Sequence, residues 1–251
     1  MIPLKDNIPT DRTAIVTIAL IVINVLVYFV LQRGGVFSAP PDGLVVNWGV
    51  IPYELWNYGD HCRLAGSQLA CGAQPSSGEP PTWVTPFSSM FMHGSVLHLA
   101  GNMLFLWIFG NNVEDSMGRL KFIVFYLLGG FAAIAAQVAM DPNDPAPMIG
   151  ASGAVAGVLG AYAVLYPRAR VVTLIFIVII FTVIELPAFI MLGLWFGQQI
   201  LLGSLELTGP EGGGGGVAYF AHIGGFALGA ALIRLFATNV KPVPERIPNP
   251  A

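Results

Sequence analysis

The feature that most constrains this chain is its succession of long apolar runs with few charges between them. A helix that crosses a bilayer needs roughly 20 apolar residues, with about 17–25 the usual range. Six segments meet or approach that length, at about 13–32, 95–111, 119–140, 151–166, 187–203 and 217–237. Composition agrees: 55% of the 251 residues are hydrophobic and 10% are charged, where a soluble domain carries about 25% charged residues. Mean hydropathy is +0.72. The chain therefore reads as one membrane domain without a large soluble one. The first run, Ala14 to Leu31, is longer than a signal-peptide core and has no clear cleavage site after it, so it reads as a retained span. No basic stripe or run marks a nucleic-acid partner.

A long connection, 33–92, separates the first two runs and is rich in Pro, Gly and aromatics (WGVIPYELWNYG, PTWVTPF). Connections of this length tend to be functional, and the aromatics suit a membrane interface. Basic residues concentrate on the cytoplasmic side of membrane proteins. With six spans and both termini cytoplasmic, Lys5, Arg12, Arg119, Lys121, Arg168, Arg170, Arg234, Lys241 and Arg246 fall inside, and only Arg33 and Arg63 fall outside. The stretch 171–184 is apolar and rich in β-branched residues but short. It reads as an interfacial or re-entrant piece, because a seventh span there would put Arg234, Lys241 and Arg246 outside. Cys62 and Cys71 share the outer connection, where they either form a disulfide or remain two thiols. The expected fold is all-α: a six-helix membrane domain over 13–237 with a partly structured outer loop at 33–92, a cytoplasmic N-terminal tail at 1–12 and a cytoplasmic C-terminal tail at 238–251. The lack of long soluble appendages and of an organelle presequence points to a prokaryotic inner membrane.

Polar side chains inside spans are costly, so each needs a reason. Three islands stand out: HGSVLHLAGN with His93, His98 and Asn102, IGASGAVAG with Ser152, and AYFAHIGGFALG with His222. His98 and Asn102 are four apart and share a helix face. No HExxH zinc signature is present, and no pair of intramembrane aspartates. Ser152 alone would be a packing residue among Gly153, Gly157 and Gly160, and His222 alone a neighbour of the GxxxG pair Gly225 and Gly229. Together they say more. One span separates their helices, which therefore run parallel, with both residues near the outer end. A serine hydroxyl becomes a useful nucleophile when an imidazole takes its proton. No carboxylate lies in either span, so a Ser–His dyad is the pair on offer. His98, Asn102 and the Ser152 backbone N–H are candidate donors to an oxyanion; interhelical hydrogen bonding is the alternative role for the two side chains. The span that begins at Ser152 rises only about 22 Å to its end, short of a core of roughly 30 Å. That leaves space for a wet depression above Ser152, lined by the connection 141–150.

These three motifs, in this order, resemble the rhomboid family of intramembrane serine proteases. EDSMGR at 114–119 and WGVIPYELW in the first connection support the match, which covers about 13–237. The resemblance implies that Ser152 is the nucleophile and His222 its general base. It implies that Gly150 sits beside the oxyanion site, that His98 and Asn102 form the oxyanion hole, and that His93 supports them by hydrogen bonding. Gly225 and Gly229 match the pair that packs the last helix against the nucleophile's helix. The resemblance implies no metal or cofactor, transmembrane proteins as substrates within the lipid bilayer, and a mobile cap at Leu202 to Val217. Ala156 stands where some members place a Tyr that stacks on the base, so the group that orients His222 is left unidentified. Two other readings remain: a non-proteolytic relative that escorts membrane clients, and a transporter. Relatives of the first kind generally lack the Ser or the His. Against the second stands the absence of a carboxylate cluster and of an inverted repeat.

Overall fold

A computed structural model describes residues 1–66, 68–73, 79–177, 180–208 and 217–244. The glycine run of the expected cap, at 212–216, and the end of the C-terminal tail lie outside the described residues.

The chain is mostly helical. After strand β1 (Ile2–Asp6), helix α1 (Ile15–Leu26) runs on through one π-helical turn to Leu31. The first connection then folds into short helices α2 (Asp42–Trp48) and α3 (Pro52–Trp56), the hairpin β2 (His61–Ala65) and β3 (Gln68–Gly72), and α4 (Thr85–Ser89). Helix α5 (Val96–Phe105) passes through a second π-helical turn into α6 (Asn111–Met117). Helices α7 (Arg119–Met140) and α8 (Ser152–Leu165) follow. Next come strands β4 (Arg170–Ile177) and β5 (Ile180–Pro187), then α9 (Ala188–Thr208) and α10 (Tyr219–Phe236).

Among the described residues, four helices are long and apolar enough to cross a membrane: Val96–Met117, Arg119–Met140, Ala188–Leu205 and Tyr219–Phe236. Two shorter apolar helices, Ile15–Leu31 and Ser152–Leu165, accompany them. Helix α8 occupies the centre. Every residue from Gly153 to Tyr162 is buried, the pattern of a helix enclosed on all sides rather than one facing lipid. Helices α10 and α7 and the continuous helix from α5 to α6 pack around it, with α9 touching it less.

The expectation of an all-α chain needs correction. Strands β1, β4 and β5 form an antiparallel sheet in that order, and β2 pairs with β3. The described residues of the apolar stretch at 171–184 are thus two paired strands rather than a helix. Its run of Val, Thr and Ile suits a strand, and pairing on both sides of β4 satisfies the backbone groups that a short apolar segment would otherwise leave open. Asp6 fastens the sheet to the helices. Its carboxyl accepts from the Tyr162 hydroxyl at 2.5 Å and from Asn112 Nδ2 at 2.6 Å. Burial pushes the Asp6 carboxyl up to about 6, against the opposing pull of the Tyr162 hydrogen bond. The segment after α10 meets the N-terminal segment here. Asn7 Nδ2 donates to the Pro244 carbonyl at 3.0 Å, and Lys241 Nζ lies 2.9 Å from Asp11 and 2.6 Å from Asp115.

Glu114, within EDSMGR, caps α1 from another helix. It is 2% exposed and accepts from Val16 N–H at 3.1 Å, Thr17 N–H at 2.8 Å and the Thr17 hydroxyl at 2.8 Å. The first N–H groups of a helix have no partner within it, and here one side chain supplies two. Glu114→Ala leaves these donors buried and unpaired, at a cost on the order of 3 kcal/mol. The unfolding midpoint in an SDS titration should fall clearly, and fall less in Glu114→Gln, which keeps an acceptor.

At the opposite end, Cys62 and Cys71 are joined by a disulfide. The first connection clamps the segment before α8: Val50 and Met148 exchange both backbone hydrogen bonds, at 3.1 and 2.8 Å, and the Gly150 N–H donates to the Ser89 carbonyl at 2.9 Å.

Candidate active site

Ser152 is the first residue of α8. The chain reaches it through Gly150, whose φ of +138° is a conformation that side chains rarely adopt. The space is closed as well. A Cβ on Gly150 would lie 2.9 Å from the His98 ring and 3.3 Å from Ser152 Oγ. Glycine at this position therefore lets the backbone turn and keeps His98 close to Ser152.

Helix α10 brings His222 to Ser152 through backbone contact with α8. A Cβ on Gly225 would overlap the Gly153 carbonyl, one on Gly229 the Gly157 carbonyl, and one on Gly160 the Phe226 carbonyl. The Gly153–Gly225 and Gly157–Gly229 pairs advance by four residues in the same direction along both helices, so α8 and α10 run parallel. Small residues permit this approach, and packing rather than burial from water drives such association in a bilayer. His222 Nε2 then stands 2.8 Å from Ser152 Oγ. This is hydrogen-bond distance, from which a proton can pass between hydroxyl and imidazole.

The other side of the imidazole meets α9. His222 Nδ1 is 2.7 Å from Gln199 Oε1. The Trp195 ring lies 5.9 Å from the imidazole at an interplanar angle of 36°. Sequence reasoning missed both residues. A signal was present for one of them: Gln199 is a polar side chain in the middle of an apolar run, which calls for a partner.

His98 and Asn102 line the same cleft as Ser152 and His222. Asn102 is 8% exposed, and among the described residues its Nδ2 has no hydrogen-bond partner. A buried donor left open costs about 1–3 kcal/mol, so it marks a place where an acceptor would be welcome. The helix carrying them starts at Ser95, whose hydroxyl accepts from the His98 N–H at 3.1 Å. His93 precedes that helix and is fully buried. Its backbone is held by the Gln32 side chain, which accepts from the His93 N–H at 2.9 Å and donates to its carbonyl at 3.1 Å. The His93 ring meets His98 edge-on at 5.1 Å. Burial, with His98 adding to it, pushes the His93 imidazole down to about 3, so it is neutral at ordinary pH.

The cleft measures about 490 Å³. Helices α5, α8, α9 and α10 supply most of its lining, with Ile149 from the 141–150 connection. A second, smaller cavity at Ser152 has the expected connection in its wall, through Met148, Ile149 and Gly150. That connection is also clamped to the first one through Val50 and Tyr53. Among the described residues, no group of three or more His, Cys, Asp or Glu side chains could hold a metal ion.

Comparisons with known proteins point the same way. A family model for the rhomboid domain matches residues 80–239. The mitochondrial presenilin-associated rhomboid-like protein of Mus musculus is 34% identical over 98 residues, covering 38% of this chain and 26% of that protein. Mitochondrial rhomboid protein 1 of Saccharomyces cerevisiae is 32% identical over 101 residues, or 37% of this chain and 28% of that protein. Rhomboid protease GluP of Bacillus subtilis is 37% identical over 97 residues, or 37% of this chain and 18% of that protein. The chain thus spans between 18% and 28% of the length of these relatives. Two of them are mitochondrial by name and one is bacterial, so the relatives do not favour the prokaryotic membrane expected from the sequence over a mitochondrial one.

Proposed function

The chain belongs to the rhomboid family, and from that membership we propose that it is a serine endopeptidase that hydrolyses peptide bonds in or near the transmembrane segments of other membrane proteins. The observation that carries this reading is the 2.8 Å approach of Ser152 Oγ to His222 Nε2 in a cleft within an apolar bundle. In this reading the six apolar helices are six spans, with both termini on the cytoplasmic side. No cofactor takes part.

The proposed reaction follows from the atoms at hand. His222 Nε2 accepts the Ser152 proton as Oγ attacks the substrate carbonyl. The carbonyl oxygen becomes an oxyanion. The Ser152 backbone N–H, in the unpaired first turn of α8, donates to it, as do His98 and Asn102 Nδ2. The imidazolium returns the proton to the departing amine, leaving an acyl group on Ser152. Water then attacks the ester, again giving its proton to His222, and Ser152 is restored. Asn102→Ala removes one oxyanion donor and should lower kcat by about 10²–10³-fold, with a smaller effect on KM. Asn102→Asp, which offers no donor when ionised, should do no better.

The test is cleavage of a single-span reporter by the purified chain in liposomes, with products mapped by mass spectrometry. Cuts in or beside the span, unaffected by a metal chelator, are expected. Intact reporter across a panel of spans with small residues, or cleavage abolished by chelation, would refute the reading.

A further inference from the structure

We infer that Gln199 is a positioning residue that fixes the tautomer and ring plane of His222. This inference deepens the protease reading and takes from it the role of His222 as base. The geometry, though, stands on its own.

Gln199 sits in the middle of the apolar helix α9 and is 6% exposed, while Gln198 beside it is exposed. A buried amide in such surroundings needs partners for its oxygen and its nitrogen. Gln199 Nε2 donates to the Trp195 carbonyl, one turn earlier on α9, at 3.5 Å. A backbone carbonyl can only accept, so the amide nitrogen must face it. The amide oxygen then faces His222 Nδ1 at 2.7 Å. An amide oxygen also only accepts, so Nδ1 must carry the ring proton. A neutral imidazole has one N–H, which leaves Nε2 bare and aimed at Ser152 Oγ at 2.8 Å. Polarity therefore runs one way, from the Ser152 hydroxyl through the imidazole and the amide to the Trp195 carbonyl. The opposite tautomer would set two acceptors, Nδ1 and Oε1, against each other.

Helix α9 thus meets the imidazole twice: at Nδ1 through Gln199, and through the tilted ring of Trp195 beside it. When Nε2 takes the serine proton, Nδ1 keeps its own, and the amide dipole stabilises the positive ring. An amide does this without a permanent charge, which is costly to bury among spans. The titratable group that shares the cleft with His222 is His98 on α5; α8 presents Ser152, and α9 presents Trp195 and Gln199.

Two measurements test this. The first is the pH profile of reporter cleavage. Gln199→Ala should lower kcat by about 10²-fold, within the range a positioned base contributes, with KM little changed. Gln199→Glu should recover much of that loss and move the acidic limb of the profile to higher pH, because a carboxylate favours the imidazolium. Gln198→Ala, one residue away and exposed, should behave as wild type. The second is the ring ¹⁵N spectrum of histidine-labelled protein, with His222 assigned from the His222→Ala spectrum. Wild type should show a bare Nε2 and a protonated Nδ1, and Gln199→Leu should show mixed tautomers. Wild-type kcat in Gln199→Ala, or an unchanged tautomer in Gln199→Leu, overturns the inference. A wild-type chain that never cleaves refutes the protease reading instead, and the tautomer measurement still decides the role of Gln199.

Discussion

Ser152→Ala and His222→Ala should each lower reporter cleavage by about 10⁴–10⁶-fold, and the double variant should lose no more than either single one. The reason is that the two side chains act as one unit. The hydroxyl is a weak nucleophile without the imidazole, and among the described residues Ser152 is the acid–base partner of the imidazole, at 2.8 Å. Removing either ends the same step, so the losses do not add. Neither change should unfold the chain. The contacts that hold α8 to α10 are made by Gly153, Gly157, Gly225 and Gly229, not by the dyad. Reporter kinetics in liposomes, beside SDS unfolding midpoints, measure both effects. Additive losses, or a large drop in the midpoint, would contradict this picture.

Gly229→Ala should also be damaging, although it adds a single methyl group far from the chemistry. That methyl would fall on the carbonyl oxygen of Gly157 and 2.8 Å from its Cα. These are backbone atoms in a buried helix and cannot turn aside, so the helices must part. Overpacking of this kind costs about 1–3 kcal/mol, and a shift of about 1 Å at a reacting pair can cost 10²-fold in rate. Both stability and kcat should therefore fall, and Gly229→Val should abolish activity. The contrast lies on α9. A Cβ on Gly193 or Gly197 would meet nothing within 4 Å. Replacement by Ala there should be neutral, or stabilising by about 0.5–1 kcal/mol through helix propensity. The same substitution thus changes sign with the face it occupies.

Much of this was legible in the sequence, for reasons that also mark where legibility stops. Apolar length and the scarcity of charge announce a helical membrane chain, because backbone groups in a bilayer must be satisfied internally. Ser152, His222, His98 and Asn102 stand out because polar groups among apolar ones are few. Glycine spacing gives the close, parallel contact of α8 and α10. The sheet was not legible. Strand β4 pairs with β1, more than 160 residues away, and a short apolar run does not reveal a partner that distant. The π-helical turns at Val27–Leu31 and Leu106–Gly110 leave no mark in an apolar pattern. Gln199 was visible as a buried-polar anomaly, but its partner was not. The register of α9 against α10 decides whether it meets His222 or a neighbouring helix, and no motif fixes that register. The cleft walls depend on the same packing.

The most direct measurement is acylation by a fluorophosphonate, followed by peptide mapping of the purified chain in bilayers. The probe reacts with an activated serine hydroxyl and requires no knowledge of the substrate. A single adduct on Ser152 that disappears in His222→Ala is the expected result. Labelling of Ser152 at an undiminished rate without His222, or a folded chain that leaves Ser152 unlabelled, would contradict it.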